Sequence, residues 1–352
     1  MENLIFKGRG AQQNVPNVFL KESYTKEHPE GIDDWEEIDP KTQYTLVNPK
    51  TIVNKVNSPD VGMEYSLNPY QGCEHGCIYC YARNSHQYWG YSAGLDFETK
   101  ILVKQNSPKL FKEFLEKKNW SGSAISLSGN TDCYQPIERK FKLTQALLKI
   151  ALAYHQPISI ITKNSLILRD LDLLTTMATK QLCVVYISIN SLTESTRLKL
   201  EPRTVTASQR LKVIETLSKH GIPVGIMCAP VIPGLTDHEI PNVLKAASAA
   251  GAKWAGYSTV RLNGEISKIF KNWLQTAFPD RADKIWHQIQ SCHHGQVNNS
   301  EFFNRMKGSG NMATMINNTF KLHCKRNKLN LSQPLLDSSL FNAKQQIQLS
   351  LF

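Results

Sequence analysis

Cys73, Cys77 and Cys80 follow the spacing C-x-x-x-C-x-x-C within Asn68-Pro69-Tyr70-Gln71-Gly72-Cys73-Glu74-His75-Gly76-Cys77-Ile78-Tyr79-Cys80-Tyr81-Ala82-Arg83. A cubane 4Fe-4S cluster has four irons, and thiolates are their usual ligands. Three closely spaced cysteines with no fourth in phase therefore leave one iron open to a substrate or cofactor. Gly72 and Gly76 let the backbone turn tightly round an inorganic core. Zinc is the alternative chemistry, because Cys77-x-x-Cys80 is half of a knuckle that Cys73, His75 or His86 would complete. A structural zinc site normally draws on a second short pair roughly fifteen residues away, and none follows Cys80.

The elements that must carry such a loop are legible in the apolar pattern. From Tyr65 onward short apolar strands alternate with amphipathic helices, the strand candidates being 65–67, 124–127, 158–161, 184–189, 224–229 and 254–260. Thr206-Ala207-Ser208-Gln209 and Thr236-Asp237-His238-Glu239 read as capping boxes, and Gly221 and Gly251 as C-caps. Nearly continuous apolar strands in repeated βα units imply a parallel sheet with helices outside. The expectation is an α/β fold, a partial (β/α)6 TIM-type barrel over residues 65–262. Residues 1–64 have no clean period and read as an irregular N-terminal arm, whereas 263–328 form a helical C-terminal extension. Its core stripes are Phe270, Trp273 and Leu274, then Ile285, Trp286 and Ile289. Residues 329–352 read as a flexible tail.

In such barrels chemistry gathers where the strands end. The three-cysteine loop follows the first strand. The second strand leads into Ser128-Gly129-Asn130-Thr131-Asp132-Cys133-Tyr134-Gln135-Pro136, a polar exit suited to an ammonium group. The third ends in Thr162-Lys163-Asn164, where a lysine suits a carboxylate or is simply a solvated charge. The fourth brings Ser188 and Asn190 to the rim, and the fifth brings Ala229-Pro230-Val231-Ile232-Pro233, a proline-stiffened apolar wall. Leu200-Glu201-Pro202-Arg203-Thr204 lies beyond the fourth strand, and Arg261 adds a cation at the end of the sixth.

The cysteine spacing, with Tyr79 just before the last cysteine, resembles the radical S-adenosylmethionine superfamily. Thr131-Asp132-Cys133-Tyr134-Gln135-Pro136, Thr162-Lys163-Asn164 and Glu201-Pro202-Arg203-Thr204 narrow the resemblance to its spore photoproduct lyase-like, DNA repair photolyase-like branch, over about residues 7–328. The resemblance implies a 4Fe-4S cluster on Cys73, Cys77 and Cys80, with S-adenosylmethionine on the open iron. It puts Tyr79 and Ala229 near the adenine, Ser188 at the ribose, Lys163 at the methionyl carboxylate, and Ser128 and Thr131 by the amino group. It further implies an enzyme that cleaves this cofactor and abstracts hydrogen from a substrate, fed by an electron donor such as flavodoxin or ferredoxin. In the lyase a cysteine just beyond the second strand returns a hydrogen atom to the product. Cys133 is the candidate here, about two residues out of register, with a small buried residue as the alternative. Repair of a thymine lesion therefore does not carry over.

At 352 residues the chain can bury a sizeable core without staples. Cys133, Cys183, Cys228, Cys292 and Cys324 have no paired spacing and read as reduced thiols of a cytoplasmic protein. No apolar stretch has the length of a membrane span. A net charge of +11 favours a polyanionic partner, and with the branch resemblance it points to damaged or modified DNA. RNA, protein or a small metabolite are alternative substrates for the same barrel, and a non-catalytic Fe-S or zinc binding module is a third class. Gln348-Leu349-Ser350-Leu351-Phe352 resembles the bacterial sliding-clamp-binding motif, with Leu349, Leu351 and Phe352 as anchors and Gln348 as hydrogen bonder. The alternative is a strand with Ile347, Leu349 and Leu351 on one face. Lys321, Lys325 and Lys328 are expected on one helical face, and 302–310 forms a distinctive segment with no derived role.

Overall fold

All six expected strands are present and parallel in the computed structural model, which describes residues 6–20 and 41–343. The clamp-like residues Gln348, Leu349, Leu351 and Phe352 lie outside the described residues. In chain order the strands are β1 (Gln43–Val47), β2 (Val53–Lys55), β3 (Tyr65–Leu67), β4 (Tyr70–Gln71), β5 (Lys100–Lys104), β6 (Ile125–Leu127), β7 (Ile158–Thr162), β8 (Cys183–Ser188), β9 (Val224–Val231) and β10 (Trp254–Thr259). The main sheet runs β10-β9-β8-β7-β6-β3-β2. Its pairings from β3 to β10 are all parallel, and only β2 is antiparallel. Parallel strands send all their exits to one rim, which brings together loops far apart in sequence.

The described residues of the arm before Tyr65 include strands that its composition does not predict. β2 closes the edge of the main sheet, and β1 joins β5 and β4 in a small second sheet. Short strands of three to five residues carry too little apolar alternation to show a period.

Helix punctuation follows the sequence in most places. Thr206 Oγ1 accepts the Gln209 N–H and caps helix Ala207–Lys219, whose Val213, Ile214 and Leu217 pack on the sheet. Its exit is a Schellman turn: Ile222 N–H bonds Leu217 O, Gly221 N–H bonds Ser218 O, and Gly221 takes φ 71°. The second expected capping box is different. Thr236 Oγ1 accepts from Ile232 N–H, and the Glu239 carboxylate reaches away to Ser191, Leu192 and Thr193. A buried loop with free donors out-competes the helix end for that carboxylate. The lysine stripe is also shorter than expected, because helix Gly310–Arg326 ends before Lys328, which takes φ 54°.

The main core lies between the sheet and its helices. A second core joins Cys77, Ile78 and Tyr79 to Ala11, Val15, Leu200, Ile232, Phe270, Trp273, Leu274, Ile285 and Ile289. The three-cysteine loop is thus packed between the arm, the rim and the C-terminal helices. Contact with the arm is close: a Cβ on Gly10 would stand 1.9 Å from Gly76 O, while the Gly10 and Ala11 N–H groups bond the Glu98 carboxylate at 3.0 and 2.8 Å. Gly10→Ala is expected to destabilise the fold by about 1–3 kcal/mol. Amide exchange should quicken at Gly10 and Ala11, as read by denaturant melts and exchange mass spectrometry.

Candidate functional site

The loop after β3 has almost no regular backbone pairing of its own, and buried polar groups cannot be left unmet. Side chains from every neighbouring segment supply what it lacks. Gln135, after β6, receives the Glu74 N–H at 3.0 Å and donates to Gly72 O at 3.0 Å. His75 lies between Asp132 (3.4 Å) and Asn164 (3.2 Å), joining the exits of β6 and β7. The Glu74 carboxylate accepts from Ile137 N–H and Tyr44 OH. Backbone bonds Cys73 N–H to Phe97 O, Ile78 N–H to Leu200 O and Arg203 N–H to His75 O complete the frame. Arg83, wholly buried, donates to Cys77 O at 3.0 Å and to Gly94 O at 2.9 Å, and pairs with Glu98 at 2.5 Å.

This frame holds the three thiols inward. Cys73 and Cys77 are buried and Cys80 is half-buried. Burial pushes all three pKa values up, Cys77 to about 12; a bound metal core would supply the positive charge that favours their thiolates. Among the described residues no three His, Cys, Asp or Glu side chains gather as a single metal ion requires. His75 is engaged by Asp132 and Asn164, and His86 is stacked on Tyr91 at 5.1 Å and edge-on to Phe97 at 5.6 Å. No tetrahedral His–Cys set is gathered among the described residues. A cubane takes one thiolate per iron, so its ligands ring the cluster instead of meeting at a point, and these residues fit that group.

Beside the thiols, Tyr79 OH donates to the fully buried Glu201, which fixes the ring. Arg210 pairs with Glu201 at 2.5 Å and donates to Ser188 O at 2.8 Å. Burial would raise the Glu201 pKa, but Arg210 and Lys163 outweigh it and keep the carboxylate charged. The same balance holds at Asp132, where burial is outweighed by His75 and the Lys163 N–H, and the pKa is held at about 2. Lys163 is different. Burial would lower its pKa, yet the carboxylates of Glu201 and Asp132 keep it protonated, and its ammonium has no hydrogen-bond or ion-pair partner among the described residues. Next along the rim, Asn190 is 2% exposed with neither amide atom bonded. An orphaned cation and an orphaned amide at adjoining strand ends are what a bound carboxylate and hydroxyls would satisfy.

The other expected residues are placed as follows. Ser128, at φ 70°, accepts the Cys133 N–H, and Thr131 donates to Tyr70 O, so both hydroxyls are spent on holding the β6 exit. Ser188 lies at the end of β8, and Ala229 precedes Pro230 across a cis peptide. Cys133 is fully buried in the main core, with burial pushing its pKa well up. The residues that sequence reasoning did not single out are Gln135, Arg83, Glu98 and Arg210. Their signal was present only as polar side chains inside otherwise apolar or turn-like segments, which the fold makes wholly buried.

A sequence profile described as the Radical SAM superfamily matches residues 67–247. An uncharacterised protein of Mycobacterium tuberculosis is 32% identical over 234 residues, covering 66% of this chain and 69% of its own length. Another, from Methanocaldococcus jannaschii, is 30% identical over 246 residues, covering 70% and 87%. Among solved structures, a spore photoproduct lyase mutant with bound AdoMet and dinucleoside spore photoproduct has a similar fold, with a TM-score of 0.54 at 15% identity and 85% of each chain covered.

His86 offers a pH test of the frame. Neither of its ring nitrogens has a hydrogen-bond partner among the described residues, and burial, outweighing nearby Asp96, pushes its pKa down to about 4. The unfolded chain takes up this proton near the ordinary value, about 6.5, before the folded chain does. Its contribution to stability is thus complete above that value and declines as pH falls towards 4. His86→Phe keeps the stacking and should flatten the fall in denaturant midpoint between pH 7 and 5, a difference on the order of 2 kcal/mol.

Proposed function

The chain belongs to the radical SAM superfamily, and from that membership we propose that Cys73, Cys77 and Cys80 hold a 4Fe-4S cluster beside an S-adenosylmethionine site on the rim. The observation that carries this reading is the buried three-thiol loop, with Lys163 near Cys77 and, at the next strand end, the buried Asn190, neither side chain having a hydrogen-bond or ion-pair partner among the described residues. When bound, the two groups supply the one-electron chemistry that takes a hydrogen atom from a substrate. The chain supplies position and exclusion of water. Lys163 offers its charge to the methionyl carboxylate, and Ser188 and Asn190 offer polar groups to the ribose. Tyr79, locked by Glu201, and Ala229 wall the adenine. Ser128 and Thr131 hold the backbone of the exit assigned to the amino group.

For the substrate we propose damaged or modified DNA. The net charge of +11 favours a polyanion, and a protein of similar fold binds a dinucleoside photoproduct. Residues 348–352 would dock on a sliding clamp, and a flavodoxin or ferredoxin would supply the electron.

Anaerobic reconstitution tests the reading. The wild type should take up iron and sulfide and release 5′-deoxyadenosine, and Cys73→Ala should lose both. Purified oxygen-free protein that carries zinc in place of iron overturns the assignment. Cys133→Ala, made in the same experiment, should cost about 1 kcal/mol as a core cavity and leave the product distribution unchanged. A changed distribution makes Cys133 the hydrogen donor.

A further inference from the structure

One cation at the rim is left without a counter-charge of its own. Arg261 follows β10 and is half-buried, with a buried, unpartnered Nε. Among the described residues the sole hydrogen-bond acceptor for its guanidinium is the Met306 sulfur, 3.5 Å from Nη1 and a weak acceptor. The charged and titratable groups that face it are Arg305, Asp60, Tyr81 and His293. Asp60 is already spent: it accepts from Arg305 Nε at 2.6 Å and Nη2 at 2.5 Å, and from Phe303 N–H at 3.1 Å. Two guanidinium groups therefore share one carboxylate, and Arg261 carries the excess. Tyr81, next to Cys80, lies near Arg261. It is 55% exposed, and its hydroxyl donates to Gly129 O at 2.6 Å.

The Asp60 pairing also fixes an unusual turn. Phe303 takes φ 67°, a conformation that aromatic residues rarely adopt. Thr259 Oγ1 bonds Lys307 O at 2.9 Å, and a Cβ on Gly308 would stand 2.7 Å from Cys292 O. A turn tied to the end of β10 this firmly nevertheless leaves Phe302 48% and Phe303 66% exposed, with Arg305 over the Phe302 ring at 4.7 Å. Exposed rings beside an uncompensated guanidinium offer stacking and phosphate contact, the two interactions by which single strands are held.

Resting on the nucleic-acid reading above, we propose that Arg261 and the 302–307 turn hold one unstacked nucleotide of a polynucleotide strand at the barrel mouth, Arg261 on its phosphate and the phenylalanines on its base. The test is fluorescence anisotropy of the full chain with short labelled single-stranded DNA, the matching RNA and a polyglutamate peptide, each over a range of salt. Arg261→Gln should weaken binding of a strand about tenfold or more and lower the slope of log Kd against log salt by about 1. Phe302→Ala with Phe303→Ala should weaken it about tenfold with the slope kept. Lys321→Gln with Lys325→Gln should change neither, and if Arg261→Gln fails to fold, Arg261→Lys should keep the slope. An effect on DNA or on RNA supports the proposal. Salt-sensitive binding that survives Arg261→Gln, or is lost only in the lysine variant, overturns it while the nucleic-acid reading stands. Polyglutamate binding as tight as the strands and indifferent to the phenylalanines overturns it as well. A wild type that binds neither strand overturns the nucleic-acid reading and the proposal together.

Discussion

A loop that wraps three thiols inward pairs few of its own peptide groups, and the fold is organised by that shortage. Peptide N–H and C=O groups removed from water need partners. Here they come from Gln135, Arg83, Phe97, Leu200 and Arg203, on segments that share no element. The conspicuous polar stretches after β6, after β7 and around Glu201 thus serve first as clamps on the loop. Their nearness to the proposed cofactor site follows from the same fact, because whatever pins the loop must reach the rim where it lies.

Charge is balanced inside this frame with few exceptions. Arg83 meets Glu98, Arg210 meets Glu201, and His75 meets Asp132. Buried ions are costly unless paired and hydrogen-bonded, so the exceptions mark places built for something else. Among the described residues Lys163 has compensating charges nearby but no direct partner, and Asn190 has no hydrogen-bond partner. Arg261 has a single weak one. All three lie at strand ends of one rim, where parallel topology concentrates loops that can vary without disturbing the core.

The mouth is made of later sequence than the thiols. The core of βα units and the loop after β3 account for one-electron chemistry in general, whereas β10 and the helices after it wall the entrance. Membership of the radical SAM superfamily speaks for the first and not the second. Asp60 and Arg305 tie the β2–β3 connection to the C-terminal region beside this entrance.

Three cysteines in a short contiguous loop declare their chemistry in the sequence, since their spacing is fixed by covalent geometry and needs no fold to be read. The six parallel strands were equally legible, because continuous apolar runs flanked by caps and glycines are local signals. β1 and β2 were not, being too short to show a period, and the expected capping box at Thr236 failed because Glu239 met the donors of Ser191, Leu192 and Thr193 only after the chain had folded. The same reason divides the site. Gln135 reaches Glu74 across 61 residues, and Tyr79 reaches Glu201 across 122. Which polar side chains are spent on such bonds, and which are left facing the rim unpartnered, depends on distances that the linear order does not contain.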